Sequence, residues 1–332
     1  MSVVARLAAF AAVLCLAFGL AALAGAAIDP TDDAVKAGSG HGAEESTSGR
    51  ANAHGDEHGA VDETTTSAST GNTHSGGGPA ASGLAVSDGG YSFEIDRGFF
   101  TAGKPASFSF RITDERGRVV RDEYELEHDK ELHLIVVRRD TAVFEHVHPR
   151  KGEDGTWSVD LNLREPGVYR AYADFKIDGK QRTLATDLFV PGEFRPDRLP
   201  APDSTAPARD GSGQPAGDLE VELKAPGVRA GRETPLTFAV TNDGQPFEAL
   251  EPYLGAKGHL VALREGDLAY LHVHPTEGGS EHAHEGDTST EAHENEVPFA
   301  ATFPTAGRYR LFLQFKTGGK IRTAAYTLEV PR

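Results

Sequence analysis

One passage of this chain is written twice. Residues 131–149, ELHLIVVRRDTAVFEHVHP, align with residues 257–275, KGHLVALREGDLAYLHVHP, at an offset of 257 − 131 = 126. Further on, PGVYRAYADFKIDGKQRT (166–183) aligns with AGRYRLFLQFKTGGKIRT (306–323) at an offset of 306 − 166 = 140. The difference, 140 − 126 = 14 residues, is the excess length of TEGGSEHAHEGDTSTEAHENE in the second copy. A tandem duplication with one expanded loop explains all three observations. Whatever fold the first copy adopts, the second must therefore adopt as well.

Each copy is built of short alternating runs, such as SFSFRIT, WSVDLNL, LTFAV and YRLFLQF, separated by Gly, Pro and Asp turns. Alternation at period two puts apolar side chains on one face of a strand, and short strands at this spacing pack as sandwiches. The predicted class is all-β: two tandem immunoglobulin-like β-sandwich domains behind an N-terminal hydrophobic helix and a disordered tether. The first sandwich is expected over residues 84–192 and the second over 218–332, with a His-rich loop at 276–296. Between them RPDRLPAPDSTAPARDGSGQPAG marks a Pro/Gly-rich linker, residues 193–217. Tyr169 and Tyr309, each two residues after a glycine, stand where a tyrosine corner ties a strand to the preceding turn.

Residues 1–28 carry Arg6 and then an uncharged Ala/Leu-rich run from Leu7 to Ile28. The run reads as a signal peptide, with Ala22-Leu23-Ala24 as a small-x-small cleavage pattern, or as a retained N-terminal membrane anchor. Arg6 ahead of it favours an N-in orientation. Both versions place the body of the protein outside the cytoplasm, secreted or anchored to the cell membrane. Residues 29–83, rich in Gly, Ser, Thr and Glu and containing His41, His54, His58 and His74, lack the apolar side chains for a core and read as the tether.

With 33 basic and 50 acidic residues the formal charge is 33 − 50 = −17. Such a field repels nucleic acid and anionic lipid and attracts cations. No nucleic-acid partner is expected, and membrane contact is expected only through the N-terminal segment. The single cysteine, Cys15, lies in the hydrophobic run, so the exported body has no disulfide, thiolate ligand or Cys nucleophile.

The histidines of the repeated passage fall on a hairpin. A two-residue turn at Arg139-Asp140 sets His133 opposite His146, and one at Glu265-Gly266 sets His259 opposite His272. Because side chains alternate along a strand, His148 and His274 share the face of those pairs. Each hairpin then gathers three imidazoles. Opposed Cβ atoms are about 4.5–5.5 Å apart, and rings reach from there to an ion at about 2.0–2.1 Å. Crowded rings repel when protonated and desolvate poorly without partners; a cation supplies the partner. His128, five residues before His133, is a fourth candidate ligand, whereas Leu254 stands at its place in the second copy. Glu125 and Glu251 are candidates for orienting a ring through its second nitrogen. His282, His284 and His293 of the expanded loop are weaker metal candidates.

Imidazole without thiolate suits Cu(II) or Zn(II). Met1 is the only methionine, so the exported body offers no thioether for Cu(I), and the missing cysteine excludes a blue-copper centre. No nucleophile motif or cofactor fingerprint accompanies the rings, and His-x-His is not the helical spacing of a metalloprotease. The expectation is a non-enzymatic, extracytoplasmic protein that buffers, stores or delivers copper or zinc, with another extracytoplasmic protein as a candidate partner. A second reading keeps the histidines structural and makes the chain a non-metal cell-surface binding or scaffold protein. Convergence of the rings on one point separates the two.

HDKELHLIVVRRDTAVFEHVHP (128–149) resembles the YtkA-like family of exported immunoglobulin-like domains, through its His-x-Lys-x-x-His-Leu-Ile-Val-Val run and its His-x-His-Pro close. The resemblance covers most of the first domain and rests on His128, Lys130, His133, His146 and His148. The second domain keeps the hairpin but departs at Leu254 and Gly255. The whole layout is similar to duplicated exported proteins of actinobacterial type. The resemblance implies export and an immunoglobulin-like fold. Through that family's similarity to periplasmic copper-resistance sandwiches, it also implies a link to copper handling.

Overall fold

The computed structural model describes residues 82–276 and 293–332. The expected N-terminal hydrophobic segment, the tether up to residue 81 with its histidines, and His282 and His284 lie outside the described residues. The described residues all fall within one compact unit, so the two sandwiches are packed parts of a single body.

Alternating apolar runs become strands throughout the described residues. The first copy supplies β1 (Ser87–Asp88), β2 (Tyr91–Ile95), β3 (Ala106–Asp114), β4 (Tyr124–Glu125), β5 (Leu132–Arg138), β6 (Phe144–Val147), β7 (Arg150–Lys151), β8 (Trp157–Leu161), β9 (Gly167–Ile177) and β10 (Lys180–Val190). One of its sheets runs β1-β2-β3-β8-β7; the other runs β10-β9-β5-β6, with β4 also paired to β9. All these pairings are antiparallel. Between the sheets lies a core that includes Phe108, Phe110, Ile112, Leu134, Trp157 and Phe175.

The second copy supplies β11 (Thr205–Arg209), β12 (Pro215–Lys224), β13 (Glu233–Asn242), β14 (Gln245–Pro246), β15 (Gly258–Arg264), β16 (Tyr270–His272), β17 (His274–Pro275), β18 (Glu296–Thr302), β19 (Gly307–Thr317) and β20 (Lys320–Val330). Here the strands form one continuous sheet, β16-β15-β19-β20-β11-β12-β13-β18-β17, with β14 on β13. The sheet folds over a core that includes Leu236, Phe238, Leu260, Phe299, Leu313 and Phe315. Both tyrosine corners are formed: Tyr169 Oη donates to the Glu165 carbonyl at 2.8 Å and Tyr309 Oη to that of Thr305 at 3.0 Å.

Two expected boundaries move. The stretch 193–217 includes β11 and the start of β12, and β11 pairs with β12 and touches β20 at Arg209, closing the second sandwich. Upstream, the stretch is pinned by the buried Arg138, which binds Asp140, Glu165 and Asp197, while Asp197 N–H donates to Asp140 at 2.9 Å. Proline density reads as a linker because a ring without an N–H is costly in a ladder interior, but edge positions tolerate it. Ser82 and Gly83, expected in the tether, form a seam between the sandwiches. Ser82 exchanges hydrogen bonds with Tyr270 at 2.9 Å, and Gly83 N–H donates to Thr183 at 3.1 Å. Gly83 has φ +68°, and a Cβ there would lie 2.7 Å from the Tyr172 ring, so the seam requires a glycine.

Strand β5 is buried along its whole length, on both faces. Leu132, Leu134 and Val136 enter the core of the first sandwich, while Ile135 and Val137 enter a separate cluster with Val261, Leu263, Leu268, Tyr270 and Phe312 of the second. Strand β15 divides likewise, Leu260 and Ala262 inward, Val261 and Leu263 outward. Phe144 stacks on Phe312 at 4.1 Å with planes 8° apart, and Tyr172 meets Tyr270 at 5.5 Å. Phe144 and Tyr270 are repeat equivalents, as are Tyr172 and Phe312. The contact is therefore isologous: the same surface of each copy packs on the other about an approximate twofold.

Candidate metal centre

The hairpin loops decide the register of the histidines, and they differ from the expected turns. Arg138 N–H donates to the Val143 carbonyl at 2.9 Å, closing a four-residue loop, and Arg264 closes the second loop on Ala269 at 3.0 Å. Asp140 and Asp267 cap these loops by accepting from Ala142 and Ala269, and the short carboxylate side chain is what stabilises the longer loop over a two-residue turn. His146 consequently pairs with Ile135 and His272 with Val261, not with His133 and His259. The shift is two residues in each copy. An even shift preserves the face, so His133, His146 and His148 still project together.

What they project towards is the other sandwich. Among the described side chains, the cluster is built across the twofold and joins imidazoles of both copies. His133 and His259 lie ring over ring with centroids 5.2 Å apart and planes 7° apart. His146 lies 4.8 Å from His259 and 5.2 Å from His133; His148 lies 4.9 Å from His146 and 5.1 Å from His133. His128 approaches His259 at 5.2 Å, reaching across from the turn it shares in form with Leu254. Both turns place two consecutive residues at positive φ, His128-Asp129 and Leu254-Gly255. His133, His146 and His259 are 1%, 9% and 3% exposed. Their ligand atoms all lie within 4.8 Å of one another, and these three residues can hold a metal ion.

The outer nitrogens set which nitrogens face inward. His133 Nε2 lies 3.0 Å from the Glu127 carbonyl, which can only accept, so Nε2 carries the hydrogen and Nδ1 presents its lone pair to the cluster. His146 Nδ1 lies 2.8 Å from Gln314 Oε1 and donates to it, so His146 presents Nε2. The amide orientation of Gln314 is supported by Tyr253 Oη donating to Oε1 and by Nε2 donating to Thr323 Oγ1, each at 3.4 Å. His133 Nδ1 and His146 Nε2 thus aim at one another across 3.0 Å, and His148 Nε2 lies 3.2 Å from the same Nδ1. Nitrogens bound tetrahedrally at about 2.0–2.1 Å sit roughly 3.3 Å apart. Carbonyl and amide partners behind the rings are the usual means of fixing a ligand tautomer.

Electrostatics keep His146 and His148 in the ligand form. Burial, then the neighbouring His133 and His148 rings, push His146 well below the ordinary imidazole range, against the opposing pull of Gln314 and Asp174. His148 is lowered to about 3, by burial first and then by His133 and Lys130. Neutral imidazole is the form that coordinates a metal.

The remaining candidates within the described residues, His272, His274 and His293, belong to the second copy. The backbones of His272 and His274 lie in β16 and β17, the latter paired with Ala300 on β18. His293 lies exposed just before β18. Glu125 and Glu251 do not orient the rings: each accepts from the turn between the last two strands of its copy, at Gly179 and Gly319, and pairs with Lys176 or Lys316. Their matched positions reflect a shared structural clamp. Gln314, which does hold a ring of the cluster, occupies the same repeat position in LFLQFKT as Asp174 in AYADFKI. A polar residue set inside the apolar runs LFLQF and AYADF was the signal available for them.

Fold and cluster together define a class, a tandem immunoglobulin-like protein with an imidazole centre between its two sandwiches. The chain belongs to the family described as "Domain of unknown function (DUF8832)", whose model matches residues 85–192 and 214–332, once per sandwich. No curated protein matches the sequence. Among solved structures, the chain is similar to Salmonella alpha-2-macroglobulin reacted with methylamine, at 14% identity over 76% of this chain with a TM-score of 0.24. It is also similar to the Escherichia coli adhesin FdeC, at 12% identity over 75% of this chain with a TM-score of 0.22. A chimeric titin Z1Z2-Z1Z2 tandem matches at 14% identity over 73% of this chain and 100% of its own length, with a TM-score of 0.18. The chain spans 15% of the macroglobulin and 66% of the adhesin. Likenesses at these scores carry no argument here; strand order and register define the fold.

Proposed function

We propose that this protein binds a divalent metal ion, Cu(II) or Zn(II), between its sandwiches and serves in buffering, storage or delivery of that ion outside the cytoplasm. The observation that carries the reading is the convergence of buried imidazoles from both copies, with the inward nitrogens of His133 and His146 fixed by Glu127 and Gln314. Nitrogen donors without sulfur match these two ions. The hydrophobic run at residues 7–28 supports the extracytoplasmic setting, and the charge of −17 supports cation capture.

Titration calorimetry with Cu(II) and with Zn(II) tests the reading on the wild-type protein and on the single variants His133→Ala and His259→Ala. A tight site at one ion per chain, removed by either substitution, is expected. Binding that survives His259→Ala would mean that the site belongs to the first sandwich alone. Wild-type protein that binds no better than His133→Ala would make the histidines structural.

A further inference from the structure

Asp174 stands on β9 directly opposite His133 on β5. Directly opposed residues of an antiparallel pair project from the same face, with Cβ atoms about 4.5–5.5 Å apart. The carboxylate therefore belongs to the face that carries the imidazoles, and it is 1% exposed. Its two oxygens are held separately. Thr183 Oγ1 donates to Oδ1 at 2.7 Å, and Tyr270 Oη donates to Oδ2 at 3.3 Å, the latter from the other sandwich. Hydrogen bonds given to a carboxylate favour its charged form.

A dication held by neutral imidazoles leaves two positive charges in a water-poor interface. Charge there is costly without an anion nearby. The repeat isolates the feature: position 174 is Asp in the first copy and its equivalent, position 314, is the neutral Gln. Resting on the metal-binding reading above, we propose that Asp174 is the fixed counter-charge of the site and makes it select a divalent ion over monovalent copper. It acts as a specificity-determining residue through space rather than as a ligand. Because Coulomb energy scales with the ion's charge, the logarithm of its effect on affinity is twice as large for a dication as for a monocation.

Asp174→Asn keeps the shape and an acceptor for Thr183, and removes the charge. Affinities for Cu(II) and Zn(II) measured by calorimetry are expected to fall on the order of 100-fold, and that for Cu(I), measured anaerobically against a chromogenic chelator, on the order of tenfold. Gln314→Glu is the complementary variant, since its carboxylate can still accept from His146; it is expected to tighten the dications more than Cu(I). Equal changes for the two charge states, or none, in wild type-like folded variants would overturn the inference while leaving metal binding intact. Wild-type protein that takes up none of the three ions would overturn both.

Discussion

The two sandwiches share a strand plan and a packing surface, and they differ where chemistry is at stake. Around the twofold, apolar positions are retained in kind: Ile135 with Val261, Val137 with Leu263, Phe144 with Tyr270, Tyr172 with Phe312. Beside the retained His133 and His259, three polar positions have diverged. His128 faces Leu254 in the comparison, Asp174 faces Gln314, and Asp187 faces Thr327. The last difference leaves a visible trace. Arg170 is held by Asp187 and by the carbonyls of Gly83 and Leu84. Its equivalent Arg310 has a 3.4 Å contact with Thr327 and the face of Phe312, and burial lowers its pKa to about 10. Duplication thus preserved a self-complementary surface while freeing each copy to contribute different groups to the space enclosed between them.

The comparison can be broken most severely at the surface that the copies share. Phe312→Ala removes a buried ring stacked on Phe144 and is expected to cost about 3–5 kcal/mol, read as a lowered thermal midpoint. Since the ring belongs to the contact between sandwiches and not to the core of either, metal affinity should fall with it. Preserved affinity would show that the two halves hold the site without that contact.

A smaller effect is expected where the copies differ. Gln314→Leu removes the acceptor behind His146 and should weaken Zn(II) binding by about 10–100-fold, the usual consequence of losing the group that orients a ligand ring. Calorimetry of the variant checks this, and unchanged affinity would dissociate the second sandwich's amide from the site. The smallest change should be stabilising. Thr327→Asp gives Arg310 the carboxylate that Arg170 already has, and is expected to raise stability by about 1–2 kcal/mol; a denaturant midpoint that does not rise would show that the copies have diverged in backbone as well as in side chains there.

Much of the site was legible in part. Alternation placed His133, His146 and His148 on one face, and a register error of two residues left that result standing because the strand period is two. Had the loops differed from the expected turns by one residue in pairing, the face would have inverted. Glu125 and Glu251 illustrate the opposite failure: matched positions in a repeat mark something retained, but both carboxylates clamp a hairpin turn. A further signal lay in LHLIVVR, apolar on both faces, since a strand facing water on one side alternates more cleanly. It marks β5 as covered twice over, without saying by what.

The sequence by itself determined the duplication, the all-β class, the tyrosine corners and the choice of nitrogen donors over sulfur, because each follows from local periodicity or from residue inventory. Only the tertiary structure decided that His259 completes the cluster begun by His133 and His146, that Gln314 orients a ring 168 residues away, and that Asp174 stands beside them. Strand periodicity states which side chains share a face. It carries no information about which other face will cover it, because that choice rests on the complementarity of two whole surfaces brought together about an axis.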